Sequence, residues 1–134
     1  MRTRVRLMQE EDKLAKYIEI RPQEFNPHKI IAYLDALDKR FVKAEINYDN
    51  VKDQVQEVFD YVVNEKITNS SLSVASAKIQ ATNDERYKKV KLELSNMKKL
   101  YLYAKVEAKN GHSYCDNLKQ QSINELATEK LTRN

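Results

Sequence analysis

The residues best suited to bind another molecule lie in one lysine-rich stretch, Glu85 to Lys109. It contains seven lysines, one arginine and three tyrosines. Ammonium and guanidinium groups bind phosphates, and exposed tyrosine rings stack on unpaired bases, so this combination suits nucleic acid. The same composition also occurs on the solvated face of ordinary helices. Both interpretations stay open until it is known which acids of the chain neutralise the lysines.

Residue types that catalyse reactions or bind metals are sparse. His112 and Cys115 are three residues apart, which brings them together on a helix, but no third ligand or orienting partner accompanies them. We expect them to be structural neighbours, and we expect His28 on the surface. The sequence lacks Glu-x-x-His ladders, glycine-rich phosphate loops and nucleophile elbows. It therefore predicts a protein without enzyme activity, metal or cofactor.

The composition of the 134-residue chain favours long helices in a single domain. One glycine, two prolines and 33% charged residues supply too little turn chemistry for a sheet. Net charge is +4, and residues 67–134 hold twelve basic and seven acidic side chains. The single cysteine excludes an intrachain disulfide. Because no signal-peptide core and no run of about 18 apolar residues occur, we expect no membrane span and a cytoplasmic location, in the host cell if a phage encodes the protein.

A long helix is predicted to begin at Pro27, with Asn26 as its cap. Its apolar residues recur in unbroken steps of four and three, the spacing of a coiled-coil seam. Residues 1–26 form a separate basic N-terminal segment, in which we expect a short helix over Glu10–Ile20. The first seam comprises Ile30, Leu34, Leu37, Phe41, Ala44, Tyr48, Val51, Val55, Val58 and Val62.

A polar connection follows, with a turn at 69–71 and a short helix within Leu72–Ala81. Thr82 and Glu85 fit a capping box at the start of a second long helix. Its seam continues in phase through Gly111, so we expect one helix there, with or without a kink, in preference to a stop and a new start. The second seam comprises Tyr87, Val90, Leu94, Met97, Tyr101, Ala104, Ala108, Gly111, Cys115 and Leu118.

The two seams predict an all-α fold, a long antiparallel, coiled-coil-like helical hairpin that occupies residues 27–134. Large apolar residues outside both seams would then lie in water; they are Tyr33, Val42, Ile46, Phe59, Leu92, Leu100, Tyr103 and Val106. A third helix would cover some of them, and self-association is the more economical cover. We therefore expect a homo-oligomer whose interfaces include Leu92, Leu100, Val106, Ile46 and Phe59.

The register of the hairpin decides which lysines are neutralised. If Val62 lies near Tyr87, the acids on one flank of the first helix lie opposite residues about 100 to 114; these acids are Asp35, Asp38, Glu45 and Asp49. We therefore expect Lys105 and Lys109 to be neutralised within the hairpin. Lys88 and Lys91 face the neighbourhood of Phe59, where this flank has no acid.

The lysines left free either bind a polyanion or keep the helix soluble. For nucleic acid, phosphate contacts would dominate over base readout, and the absence of a groove-reading motif favours single strands over duplexes. The candidate DNA-binding residues from the sequence are Arg86, Lys88, Lys89, Lys91, Lys98, Lys99 and Tyr103, of which Tyr103 would stack on an unpaired base.

The layout resembles the phage recombination mediators of the UvsY type, small helical proteins that load a recombinase onto single-stranded DNA. The resemblance runs from about His28 to Leu126. It consists of a charged heptad helix ending in EVFDYVV, a serine-rich link SSLSVASAKIQATNDE, and a lysine-rich helix ending in YCDNLKQQ.

The family's better-known members place basic residues just ahead of an Asp-Tyr pair, where they contact DNA. Asp60 and Tyr61 match that pair, but the preceding Gln56, Glu57 and Val58 carry no positive charge. The resemblance therefore implies a DNA site carried mainly by Arg86–Lys91, with Lys66. It also implies a ring-like homo-oligomer, contacts with a recombinase and a single-strand-binding protein, and no cofactor.

The leading hypothesis is a non-enzymatic, oligomeric recombination mediator that binds single-stranded DNA. The rival is a helical protein–protein interaction module, such as a phage assembly factor or an inhibitor of a host enzyme. That module would use the surplus apolar faces and leave the lysines solvated. A structural coiled-coil spacer is the third hypothesis.

Overall fold

A computed structural model describes Ile18 and residues 21–132, and helices account for most of them. Helix α1 spans Pro27–Ser70, α2 spans Val74–Thr82 and α3 spans Glu85–Thr132. No strand occurs in these residues. The expected all-α fold, two long helices with a short one between them, is confirmed. The helix expected over Glu10–Ile20 lies outside the described residues except for Ile18, which is helical.

Helix α1 begins where the sequence predicts. The Asn26 side-chain oxygen Oδ1 accepts hydrogen bonds from the backbone N–H groups of His28 (3.1 Å) and Lys29 (3.3 Å). Pro27 has no N–H to satisfy, and its fixed φ suits the first helical position. At its other end α1 extends through Ser70, and Ser71 leaves the helix in the left-handed region with φ 51°. The predicted turn therefore begins later than expected.

The caps of the next two helices differ in part from the prediction. Ser73 caps α2, because its hydroxyl accepts from the backbone N–H of Ser76 (3.3 Å). Thr82 belongs to the end of α2, where its hydroxyl donates to the carbonyl of Ile79 (2.6 Å). Asp84 caps α3 by accepting from the backbone N–H of Arg86 (2.9 Å). The predicted capping box of Thr82 and Glu85 is wrong, because α2 continues far enough to include Thr82.

The chain divides into two compact units. The first contains residues up to Val42 together with those from Tyr103 onward, and the second is Lys43–Leu102. The core of the first unit consists of Ile30, Tyr33, Leu37, Ala108 and Cys115. In this unit α1 and α3 run antiparallel, since Arg40 contacts Glu107 and Asp38 contacts His112.

Gly111 lies inside an unbroken α3, as the continuous seam predicted. It is buried, and the place where a Cβ would stand is occupied by a methyl group of Leu37, with the Tyr33 ring 3.4 Å away. The absence of a side chain at this position therefore permits the close approach of α1 that the small residues of the seam suggested.

The core of the second unit is built from α1 and α2 and consists of Val62, Val63, Ala77 and Ala81. Beside this core, α1 and α3 pair through aromatic rings. Tyr48 stacks on Tyr101 with centroids 5.5 Å apart, in agreement with the expected register, and Phe59 lies 5.3 Å from Tyr87.

Both seams face inward, since every seam residue is buried or half-buried. Of the apolar residues outside the seams, Val42, Ile46, Leu92, Leu100, Tyr103 and Val106 are 50–69% exposed. Tyr33 and Phe59 differ: Tyr33 is buried, and Phe59 is half-buried against Tyr87 and the second core. Because the chain itself covers Phe59, the reason for placing it at an oligomer interface disappears.

Candidate nucleic-acid interface

Five exposed lysines lie around the first half of α3, in the second unit. This lysine surface, as we call it, consists of Lys88, Lys89, Lys91, Lys98 and Lys99. None of the five forms an ion pair within the described part of the chain. The nearest aromatic contact is that of the Lys91 ammonium group, 5.8 Å from the centroid of the Tyr87 ring. Their positive charge is thus left facing solvent.

Two acids of the same unit have partners on α1 rather than on α3. Asp49 pairs with Lys52 one turn away on α1 (3.7 Å), and Asp60 accepts a hydrogen bond from Gln56 (3.0 Å). Neighbours three or four residues apart on a helix meet readily. These carboxylates therefore bind within α1 and do not reach across to α3.

Arg86 is the exception among the basic residues at the start of α3. Its Nη1 donates to Glu65 Oε2 (2.7 Å), and its Nε and Nη2 donate to the two oxygens of Asp84 (3.0 and 3.1 Å). These hydrogen bonds, with the one from the Arg86 backbone, hold the pKa of Asp84 at about 2 and raise the pKa of Arg86. The expectation that Arg86 belongs to a free basic cluster is wrong, because two carboxylates neutralise it.

Lys66 lies at the same corner, with its ammonium group 4.0 Å from an oxygen of Asp84. The assignment of Arg86 and Lys66 as DNA-binding residues therefore loses its electrostatic basis. The acids that neutralise Arg86 and Lys66 do not belong to the flank of α1 that carries Asp35 and Asp38. Asp84 comes from the start of α3 itself and Glu65 from the last turns of α1.

Lys105 and Lys109, in the first unit, were expected to be neutralised by α1 and are not. Asp35 binds Lys39 (2.8 Å), which raises the pKa of that lysine, and Asp38 lies 2.9 Å from a ring nitrogen of His112. Within the described residues, Lys105 and Lys109 form no ion pair. The nearby acids are engaged with Lys39 and His112 instead.

His112 and Cys115 share no contact that would suit catalysis. The His112 ring meets Asp38, whereas Cys115 is buried in the first core, where burial raises the pKa of its thiol and disfavours the reactive thiolate. His28 is exposed, as expected. No group of three or more His, Cys, Asp or Glu side chains in the described residues is arranged to hold a metal ion.

Tyr103 is exposed, as a base-stacking residue must be, and it lines a shallow notch in the first unit. The notch also contains Arg21, which no sequence pattern singled out. Arg21 precedes Pro22 in an irregular segment, and its guanidinium stacks on Tyr114, a residue far away in the sequence. No local sequence pattern predicts a contact between residues so far apart in the chain.

No protein-family model, no curated protein and no solved structure matches this chain. Within the described residues, no helix combines the length and apolar character needed to cross a membrane.

Proposed function

We propose that the protein is a non-enzymatic, oligomeric protein that binds single-stranded DNA and assists in loading a recombinase. The observation that supports this most is the lysine surface, five exposed ammonium groups without an ion-pair partner among the described residues. Like charges held close together repel one another, and a polyanion relieves this repulsion. Phosphates would release bound counterions on contact, which makes the association favourable at low salt.

Single strands fit this surface better than duplexes do. Lys88 and Lys99 are separated by roughly 16 Å along α3, at about 1.5 Å of rise per residue. A flexible strand can follow lysines on one helix through its phosphates, with little dependence on base sequence. Recognition of a duplex by sequence would require an element that enters a groove, and α3 is paired with α1 by its seam.

The mediator role extends this binding by the resemblance to the UvsY type. Contacts made only to phosphates are weak and salt-dependent, so a recombinase can displace them as it assembles on the strand. The partners would be a recombinase and a single-strand-binding protein. Exposed Ile46, Leu92, Leu100 and Val106 supply apolar surface for a homo-oligomer, which would present several lysine surfaces to one strand.

A protein–protein interaction module is the second candidate function. It is favoured by the exposure of Ile46, Leu92 and Leu100 in the same unit as the lysine surface. Apolar side chains of this size on one unit suit a protein partner. In that case the lysines would only keep the helix soluble.

Charge reversal separates the two candidates. The variant Lys88→Glu, Lys89→Glu, Lys91→Glu should lose binding to oligo-dT at low salt, while its circular dichroism and its molar mass stay as in the wild type. The matched control replaces Lys78, Lys119 and Lys130 by Glu, which changes net charge equally at exposed positions outside the lysine surface. The control should bind as the wild type does. If the wild-type protein shows no measurable binding to oligo-dT at low salt, the proposed function is wrong.

A further inference from the structure

The first unit contains a shallow notch of about 250 Å³ between exposed and buried side chains. Arg21, Tyr103 and Asn110 are exposed there, whereas Tyr33 and Gly111 are buried. Tyr103 is 69% exposed, the most exposed tyrosine described. A large aromatic ring left in solvent beside a concave surface is suited to cover a flat apolar ligand.

Arg21 gives the notch a fixed positive charge. Its guanidinium carbon lies 3.3 Å from the centroid of the Tyr114 ring, and the Tyr114 hydroxyl donates to the carbonyl of Pro22 (2.7 Å). These two contacts hold the segment that carries Arg21. Within the described residues, no carboxylate pairs with Arg21.

The acid that lines the notch does not cancel this charge. Glu107 accepts a hydrogen bond from Arg40 Nη1 (2.9 Å) and is neutralised by it. The Arg21 charge acts on the Tyr33 hydroxyl and the Cys115 thiol, lowering the pKa of each, although burial outweighs it and raises both. The notch therefore combines an aromatic face, a guanidinium with no carboxylate partner among the described residues, and the Asn110 amide, which can donate and accept hydrogen bonds.

We propose that this notch takes one unpaired base of a single-stranded nucleic acid, with Tyr103 stacking on the base and Arg21 contacting its phosphate. The proposal rests on the proposed function, since it presupposes that a strand is bound. It adds a contact to the base where the lysine surface offers contacts to phosphates alone. A larger depression of about 700 Å³ shares Arg21 and Tyr33 with the notch, and its lining includes both Lys29 and Glu24.

The test compares an ordinary oligo-dT strand with an abasic strand of the same length, which keeps the phosphates and lacks the bases. The wild-type protein should bind oligo-dT about tenfold more tightly than the abasic strand, at the lower end of what stacking on one aromatic ring contributes. Tyr103→Ala should bind both strands equally, at the affinity of the wild type for the abasic strand. Tyr103→Phe should retain the preference, because the ring remains.

Leu126→Ala serves as the control, since Leu126 is 57% exposed in the same unit but does not line the notch. It should discriminate between the strands as the wild type does. Arg21→Gln should weaken binding of both strands, because it removes a phosphate contact and leaves the ring of Tyr103 in place.

Several outcomes would overturn the proposal of a base-binding notch without affecting the proposed function. Equal affinity of the wild type for both strands would do so, as would a Tyr103→Ala variant that still prefers oligo-dT. In both cases loss of binding in the Lys88, Lys89, Lys91 variant would leave the proposed function intact. Absence of binding to either strand by the wild type would overturn the proposed function and the notch together.

Discussion

The salt dependence of DNA binding tests the lysine surface quantitatively. For single strands, the logarithm of the binding constant falls with the logarithm of salt concentration with a slope of about −0.7 per phosphate neutralised. If each of the five lysines contacts one phosphate, the slope for a short strand bound by one protomer is about −3.5. Affinity should then fall about 100-fold between 50 and 200 mM salt.

Replacing Lys88, Lys89 and Lys91 by glutamine removes three of these contacts without adding negative charge. The slope should drop to about −1.4, and affinity should fall only about sevenfold over the same range of salt. If the rest of the interaction is unchanged, the two lines meet near 1 M salt, where counterion release contributes nothing. The variant should therefore bind about 500-fold more weakly at 50 mM and about 30-fold more weakly at 200 mM.

Fluorescence anisotropy with a labelled oligo-dT measures both slopes directly. A control with glutamine at Lys78, Lys119 and Lys130 carries the same change of net charge and should keep the wild-type slope. Circular dichroism of each variant verifies that α3 is intact. A slope that the triple variant shares with the wild type would refute the assignment of these lysines as phosphate contacts. A slope that the control lowers equally would show that net charge, and not the lysine surface, governs binding.

Three further variants test the packing, the cap and the expected oligomer. Gly111→Ala should lower the free energy of unfolding, measured by urea denaturation, by about 1 kcal/mol. The added methyl group meets Leu37, which is only 1% exposed, and the cost of this overlap exceeds the gain in helix propensity. A more stable variant would contradict this expectation. Asp84 has its folded pKa lowered to about 2, so its charge stabilises the protein above pH about 4, and that stabilisation is lost as pH falls towards 2. Asp84→Asn keeps a capping side chain and should flatten that part of the thermal-stability profile, whereas an unchanged profile would argue against the ion pair. Leu92→Gln with Leu100→Gln should reduce the molar mass in light scattering, while Val74→Gln, exposed to the same extent as Leu100, should not; equal masses would remove these leucines from the interface.

The helices and their buried faces could be predicted because they depend on period and on local capping chemistry. Ten apolar positions in steps of three and four leave one face for burial whatever the details of packing, and in α1 all ten are buried or half-buried. The continuity of α3 through Gly111 follows from the same phase. The start at Pro27 depends only on the neighbouring Asn26.

The pairing of charges could not be predicted in the same way. The flank of α1 that carries Asp35 and Asp38 lies opposite the part of α3 near residue 112, as the register predicted. Asp35 nevertheless forms its ion pair with Lys39 on its own helix. A long charged side chain can reach several partners in different rotamers, and the free energies of these alternative ion pairs differ by only a few tenths of a kcal/mol. The ion pair of Arg86 similarly requires Asp84, and the position of Asp84 is set by the end of α2 at Thr82. Contacts such as Arg21 with Tyr114 join distant parts of the chain and leave no periodic signal.

The local sequence divides the lysine surface into two groups. Lys88 has Asp84 and Glu85 four and three residues before it, and Lys89 has Glu85 and Glu93 four residues away on either side. Lys91, Lys98 and Lys99 have no acid three or four residues away on either side, so their own helix offers them no ion pair. A helix selected only to stay soluble would gain about 0.2–0.5 kcal/mol from each such pair, and one substitution by glutamate would create it. Lys39 and Lys52 on α1 do have such partners. Placing Glu at Ser95, four residues from Lys91 and from Lys99, should therefore stabilise α3 slightly and weaken DNA binding at the same time. If it stabilises α3 and leaves DNA binding unchanged, the lysines on either side of Ser95 are a solvated face.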